Sequence, residues 1–258
     1  MTAREWVWVG AKSTGTSHLK AGDGCDDWAS CAEFSGEGLS TLIAIVSDGA
    51  GSARFSHIGS RIVCCRLTRA AMRFLRSGKL VSDITEQVVR EWLDEVRDTI
   101  SVAAKELSAT PRDFAATLVA ALVGESYSLF VHIGDGAAVF RSDHSHSWTV
   151  ASWPAHGEYA STTFFVTDDP EPRVRLVSID FAIDAVALFT DGLERLILDF
   201  STKLPHAPFF DSLERPLLGL DPGRNRKLSA HLLEMLESPQ ICSKTDDDKT
   251  IIIAKRLG

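Results

Sequence analysis

The stretch "TLIAIVSDGAGS", residues 41–52, runs from an unbroken apolar segment straight into an aspartate, two glycines and a serine. Five apolar residues bounded by polar and turn residues read as a buried strand, and a buried strand that ends on an acid has to hold that acid for a reason. The arrangement recurs in "LFVHIGDGAAVF" at 129–140 and in "AVALFTDGLE" at 185–194, so three apolar runs each deliver an Asp-Gly pair. Taken singly, Asp-Gly after a strand is an ordinary turn. Three with the same lead-in point to carboxylates gathered at strand ends.

Around these runs the chain is that of a soluble globular protein. It has 258 residues, 45% hydrophobic and 24% charged, enough for one large domain or two small ones. A formal net charge of -8 argues against nucleic acid or an anionic membrane as the main partner. The exception is Arg66, Arg69, Arg73 and Arg76, which recur at helical spacing opposite Ile62, Cys65, Met72 and Leu75 and read as a solvated helix face. Cys25, Cys31, Cys64, Cys65 and Cys242 include no CxxC pair and are odd in number, which fits a reducing compartment; with no apolar leader at the N-terminus and no membrane-length apolar run, the expected location is the cytoplasm.

The chain opens on the alternating strand "EWVWVGAKS", followed by the loop "STGTSHLKAGDGCDDW". Helical periodicity predicts a helix from Ser56 to Leu75, ended by "SGK". A second starts from a capping signature at Asp83 to Glu86 and runs through Val89, Trp92, Val96, Ile100, Ala103 and Leu107 on one face. "DFAATLVAALV", "SYSLFVHIGDG" and "AAVFRS" read as an antiparallel meander. "VRLVSID", "AVALFTDG" and "KTIIIAKR" add strands, with a third helix over about 224–236. Strands clustered apart from paired helices predict sheets covered by helices on their outer faces, in one domain.

The loops at the strand ends hold Asp26, Asp27, Asp48, Asp135, Asp191 and the run Asp246, Asp247, Asp248. Gathered at one sheet edge, four such carboxylates would repel one another and destabilise the fold unless a cation offset them. Oxygen donors select a hard divalent ion, magnesium, manganese or calcium, whereas zinc or iron would call for Cys and His. Gly49 fits the same logic, since without a side chain its carbonyl can turn toward an ion. "DGAG" is also half of a dinucleotide fingerprint, but Arg54 stands where the third glycine belongs, and Asp48 would face the pyrophosphate.

The ordered set "CDDW", "IVSDGAGS", "DFAATLVAAL", "HIGDGAAVF", "LFTDGLE" and "TDDDKTIII" resembles the metal-dependent serine/threonine protein phosphatases of the 2C type, in a short bacterial form, from about Gly15 to Ala254. The resemblance implies an α+β fold, an αββα sandwich of two antiparallel sheets packed face to face with helices outside, as a single domain over residues 1–258. It implies a centre of two manganese or magnesium ions with a weaker third. Residue by residue, Asp48 would bridge both ions, Gly49 would offer its carbonyl, Asp191 and Asp247 would hold the first ion, Asp27 would be the acid of the family's acidic pair, and Asp135 would serve the third ion with Asp191. Asp48 and Asp191 thereby carry the catalytic function. The implied reaction is single-step hydrolysis of a phosphoserine or phosphothreonine by a metal-activated water, on a phosphorylated protein made by a cognate kinase. Consistently, no Cys-x5-Arg loop offers a cysteine nucleophile.

Two positions depart from that pattern. No arginine precedes the acidic pair to grip the phosphate, leaving His18, Lys20 or Arg54 as substitutes, and Ala50 stands where many eukaryotic relatives have a histidine. The segment from Asp143 to Asp184 takes the place of the family's flap, with His156, Glu158, Tyr159 and Thr163 as candidate substrate contacts. A catalytically silent metal- or phosphopeptide-binding module and a small phosphate-ester hydrolase are the alternatives on the same scaffold.

Overall fold

The computed structural model describes residues 5–36, 38–142, 144–145, 147–155 and 163–258, so His156, Glu158 and Tyr159 lie outside the described residues. The strands are β1 (Trp6–Ser13), β2 (Trp28–Gly36), β3 (Leu39–Ser47), β4 (Leu118–Val123), β5 (Ser128–Ile133), β6 (Ala137–Ser142), β7 (Thr149–Ser152), β8 (Arg175–Ile179), β9 (Ile183–Phe189), β10 (Leu198–Asp199), β11 (Leu204–Pro205), β12 (Gly223–Arg224) and β13 (Lys249–Arg256). The helices are α1 (Thr16–Ala21), α2 (Ser56–Arg76), α3 (Glu86–Glu106), α4 (Asp191–Ile197), α5 (Ala207–Glu214), α6 (Arg226–Leu236) and α7 (Pro239–Cys242).

Two sheets form, in the orders β12-β1-β13-β9-β6-β7 and β2-β3-β4-β5-β8. Apart from the parallel β1–β12 pair, neighbouring strands in both run antiparallel. Because every side chain of β3 but the first is buried, its two faces serve two cores. Ile43 and Ile45 pack with Val63, Leu67, Val89 and Trp92 under α2 and α3, while Leu42, Ala44 and Val46 meet Val186, Leu188 and Ile252 between the sheets. A third cluster, with Phe189, Phe210 and Leu232, lies between the first sheet and helices α4, α5 and α6. Helix, sheet, sheet and helix layers thus reproduce the expected αββα order, and no described helix is long and apolar enough to cross a membrane.

The differences from the sequence reading have local causes. The meander breaks after β5, because β6 leaves for the other sheet and pairs β9 and β7. The Gly134–Gly136 turn is therefore a crossover that carries Asp135 to the seam between sheets. The loop after β1 contains α1, a single short helix with no buried residue and so no apolar period to reveal it. Helix α3 is capped by the Thr85 hydroxyl, which accepts from the Val88 amide; Asp83 instead closes a preceding 3-10 turn by accepting from the Leu80 amide. The buried faces of α2 and α3 are rotated slightly from the expected stripes: Val63, Cys64 and Leu67 are buried rather than Ile62 and Cys65, and Leu107 is exposed. Arg66, Arg69, Arg73 and Arg76 are exposed as expected. The segment equated with the flap also supplies β7 and β8, one strand to each sheet.

Candidate metal centre and active site

At the edge where β3 and β9 end, a cleft of about 1390 Å³ is lined by Asp48, Gly49, Asp135, Asp191 and Asp247, together with His18 and Thr163. One carboxylate oxygen from each of Asp48, Asp135 and Asp191 lies within 4.8 Å of the others. Each acid arrives on a different element: Asp48 just past β3, Asp135 in the β5–β6 crossover, and Asp191 at the first position of α4. The sandwich itself therefore converges them.

Their backbones are fixed. The Asp48 amide donates to Thr117 Oγ1 at 3.0 Å and its carbonyl accepts from the Thr117 amide at 2.8 Å. Gly49 bridges Ala116, and a Cβ there would lie 2.7 Å from the Asp26 carbonyl oxygen and 2.8 Å from Ser56. Besides freeing its own carbonyl, glycine at 49 thus lets α2 and the Asp26 backbone close on the loop. Thr163 donates from Oγ1 to Asp135 Oδ2 in a short contact that ties the far side of the cleft to this acid.

Asp27 stands behind the cleft wall, 1% exposed. Its Oδ2 accepts from Thr190 Oγ1 at 2.8 Å, and that hydroxyl accepts from the Thr250 amide at 3.0 Å. Asp27 Oδ1 is buried without a hydrogen-bond partner. The three successive acids separate cleanly. The Asp246 carbonyl accepts from the amide and hydroxyl of Ser17, Asp247 lines the cleft, and Asp248 is 2% exposed and accepts from the Gly15 and Asp26 amides at 2.6 Å each. Asp248 is thus the clasp that joins the C-terminal strand to the loop after β1. Lys249, fully buried, donates to the Asp247 carbonyl at 3.1 Å. Asp26 serves α2, with its carboxylate accepting from Ser56 Oγ and its carbonyl from Ser60 Oγ.

The electrostatics of the cluster favour a cation. Burial, then Asp191, Asp27 and Asp135, push the Asp48 carboxyl well above the usual carboxylate range. Burial followed by Asp135, Asp247 and Asp27 does the same to Asp191. Burial lifts Asp27 to about 6, although the hydrogen bond from Thr190 pulls it down. An orphaned buried oxygen and a set of hard, mutually repelling oxygen donors fit a divalent ion of the magnesium or manganese kind. A stability test follows. These carboxyls have folded pKa values above their unfolded ones, so without metal the folded state holds extra protons and loses stability as pH rises through about 6, on the order of 1–3 kcal/mol. A divalent ion removes that loss. The rise in melting temperature on adding manganese is therefore expected to be larger at pH 7.5 than at pH 5.5, and an equal rise at both would contradict the cluster's electrostatics.

The proposed phosphate contacts divide. His18, on α1, lines the cleft with its Nδ1 3.1 Å from Asp248 Oδ2. Burial pulls its pKa down, but Asp248, Asp26 and Asp247 outweigh that and hold it above the ordinary value. Arg54 is exposed, its guanidinium 4.7 Å over the Phe55 ring, and does not line the cleft; Lys20, also exposed, does not line it either. Three arginines that no sequence motif singles out line it instead. Arg97 sits 4.0 Å from Asp169 and donates to the Pro170 carbonyl, Arg173 lies over Phe164, and Arg112 projects exposed from the 3-10 turn of residues 111–114. The turn is held against the loop that follows Asp48, since the Ala50 amide donates to the Ala115 carbonyl.

Comparison with known proteins agrees with this geometry. The family described as protein phosphatase 2C matches residues 14–237, a span that holds all of these candidate residues except Asp247. Serine/threonine-protein phosphatase 3 of Escherichia coli strain K12 is 29% identical over 251 residues, covering 96% of this chain and 98% of that one. Among solved structures, the serine/threonine phosphatase Stp1 from Staphylococcus aureus has the same fold, with a TM-score of 0.65 and 17% identity over 100% of this chain and 98% of its own. The S. agalactiae serine/threonine phosphatase follows with a TM-score of 0.58 and 11% identity over 97% and 99% of the two chains. With the family matched from residue 14 to 237 and a serine/threonine-protein phosphatase aligned along nearly the whole chain, this protein is a phosphoprotein phosphatase of the protein phosphatase 2C family.

Proposed function

We propose that residues 1–258 act as one domain that hydrolyses phosphoserine and phosphothreonine in proteins, using two manganese or magnesium ions with a weaker third. The observation that carries this reading is the convergence of Asp48, Asp135 and Asp191 within 4.8 Å at the floor of a cleft. In it Asp48 and Gly49 would hold both ions, Asp191 and Asp247 the first, Asp27 would support the pair from behind, and Asp135 would share the third with Asp191. Bound there, such ions supply Lewis-acid charge to the phosphate oxygens and acidify a water for attack.

The chain's own residues bind and orient. His18, whose pKa the neighbouring Asp248 raises, offers a ring nitrogen beside the loop from Gly49 to Gly51, where the family's arginine is lacking. Arg112 offers a guanidinium from the turn that adjoins the same loop. Ala50 supplies no proton, so the departing serine or threonine oxygen would take its proton from a water, in the site or in solvent. The cleft's volume, about 1390 Å³, exceeds the range of roughly 300–1,000 Å³ that encloses drug-sized ligands, which supports a peptide chain over a free phosphate ester. Such a substrate implies a serine/threonine kinase that made it, and the described cysteines, all free, support a reducing compartment such as the cytoplasm.

Protein stripped with chelator is expected to be inactive on para-nitrophenyl phosphate and to recover with manganese or magnesium but not with zinc or calcium. A phosphothreonine peptide should then be turned over in preference to free nucleotides. No turnover with any ion, despite calorimetric metal binding, would favour a silent binding module, and a wide preference for nucleotides would leave the metal centre but overturn the substrate class.

A further inference from the structure

Away from the cleft, the sandwich gapes at one edge. β2 is a terminal strand of its sheet, and on its outer side β1 is flanked only by the two-residue β12. Between them lies a groove of about 230 Å³ lined by Trp8, Lys12, Trp28, Cys31, Arg224 and Ile252. Its floor belongs to the core between the sheets, against which Trp8, Ala29 and Cys31 pack half-buried.

The charge of the groove is opposite to that of the chain. Among the described lining residues there are two cations and no carboxylate, on a molecule whose formal net charge is -8. Lys12 Nζ stands 4.5 Å over the Trp28 ring and donates to the Asp27 carbonyl at 2.9 Å; Arg224 donates to the Gly10 carbonyl at 3.4 Å. An ammonium carries three N–H donors and a guanidinium five, so both retain unused donors toward the groove. Arg61 adds a third cation, 5.3 Å over the same Trp28 ring. Burial pushes the Cys31 thiol up, so no thiolate offsets this positive charge.

An aromatic face beside cations in a lining without a carboxylate recognises a flat apolar body carrying one negative charge. We propose that this groove binds a small planar aromatic carboxylate, its ring against Trp8 and beside the edge of Trp28, whose face Lys12 covers, and its anion on Lys12 and Arg224. The volume, below that of drug-sized pockets, sets the size at one or two fused rings. The inference rests on the groove alone and not on the metal-centre reading.

The test uses the full chain labelled with nitrogen-15 and titrated with 2-naphthoate, and in parallel with the uncharged 2-naphthylmethanol. The six indole N–H signals are assigned through Trp→Phe variants. Saturable shifts confined to the Trp8 and Trp28 indoles are expected, with binding about tenfold weaker for the alcohol and for Lys12→Met, the scale of one charge-assisted hydrogen bond. Equal affinity for the two probes would overturn the proposal. So would shifts spread over Trp92, Trp148 and Trp153, or no shift at millimolar naphthoate. Because the alcohol comparison needs no variant, the test stands even if Lys12→Met folds poorly, and because it reads no turnover, its failure is separate from failure of the phosphatase mechanism.

Discussion

Asp191→Asn is expected to lower manganese- or magnesium-dependent turnover by about a thousandfold or more, the scale on which active sites lose rate when a group serving transition-state charge is removed. The same variant should melt, in chelator, no lower than the parent. Both halves follow from one geometry. Asp191 opens α4 directly after β9, with an oxygen within 4.8 Å of those of Asp48 and Asp135. Asparagine preserves the shape and one carbonyl oxygen, and it suits a helix N-terminus, so the backbone has no reason to move. What it removes is a charge held against burial and against Asp135, Asp247, Asp27 and Glu194. Without metal, that deletion relieves repulsion; with metal, it would delete a proposed ligand and lower the site's negative charge. Chelator melts and a calorimetric manganese titration on both proteins check the two halves, and turnover within tenfold of the parent would remove Asp191 from the centre.

The parts of this site legible in the sequence were those set by short-range pattern. An apolar run such as "TLIAIVS" can only be a buried strand or a buried helix, and a glycine after the acid at its end marks the turn, so Asp48 and Asp191 stand out as acids on strand termini. Their convergence also follows, because strands of a sandwich ending on one side bring their terminal residues to one edge. Illegible were the features decided by distant packing. Whether β6 stays beside β5 or crosses to the other sheet depends on what covers each face, and the Gly134–Gly136 turn reads the same either way. The three successive acids Asp246, Asp247 and Asp248 are chemically identical. Only the approach of Gly15 and α1, far away in sequence, makes Asp248 the buried clasp and leaves Asp247 in the cleft. The cleft arginines escaped notice for the same reason: Arg112 belongs to a stretch whose place beside the loop that follows Asp48 comes from a hydrogen bond between Ala50 and Ala115.

Gly192→Ala tests that clasp, and it is expected to destabilise the protein by about 3 kcal/mol, near the top of the usual range for overpacking, which for a chain of this size lowers the melting temperature by roughly 6–12 °C. Gly192 follows Asp191 on α4 in a conformation that any residue adopts, so no backbone strain attaches to the change. The cost is steric. A Cβ at 192 would lie 1.9 Å from the Asp248 carbonyl oxygen, 3.0 Å from its carbon and 3.5 Å from Asp247 Cβ. The strand entry cannot slide aside cheaply, since the Asp248 carboxylate accepts from the Gly15 and Asp26 amides and Lys249 holds the Asp247 carbonyl. Relief therefore requires either breaking those buried bonds or tilting the start of α4, and either movement displaces Asp191 or Asp247. Weakened manganese binding should accompany the lost stability, with Asp191 itself unaltered. Gly24→Ala supplies the control, because a Cβ there meets nothing within 4 Å and should leave both quantities unchanged. A Gly192→Ala protein with the parent's melting temperature and manganese affinity would mean that α4 does not pack on the Asp247–Asp248 segment, and the route by which the last acid reaches the cleft would have to be redrawn.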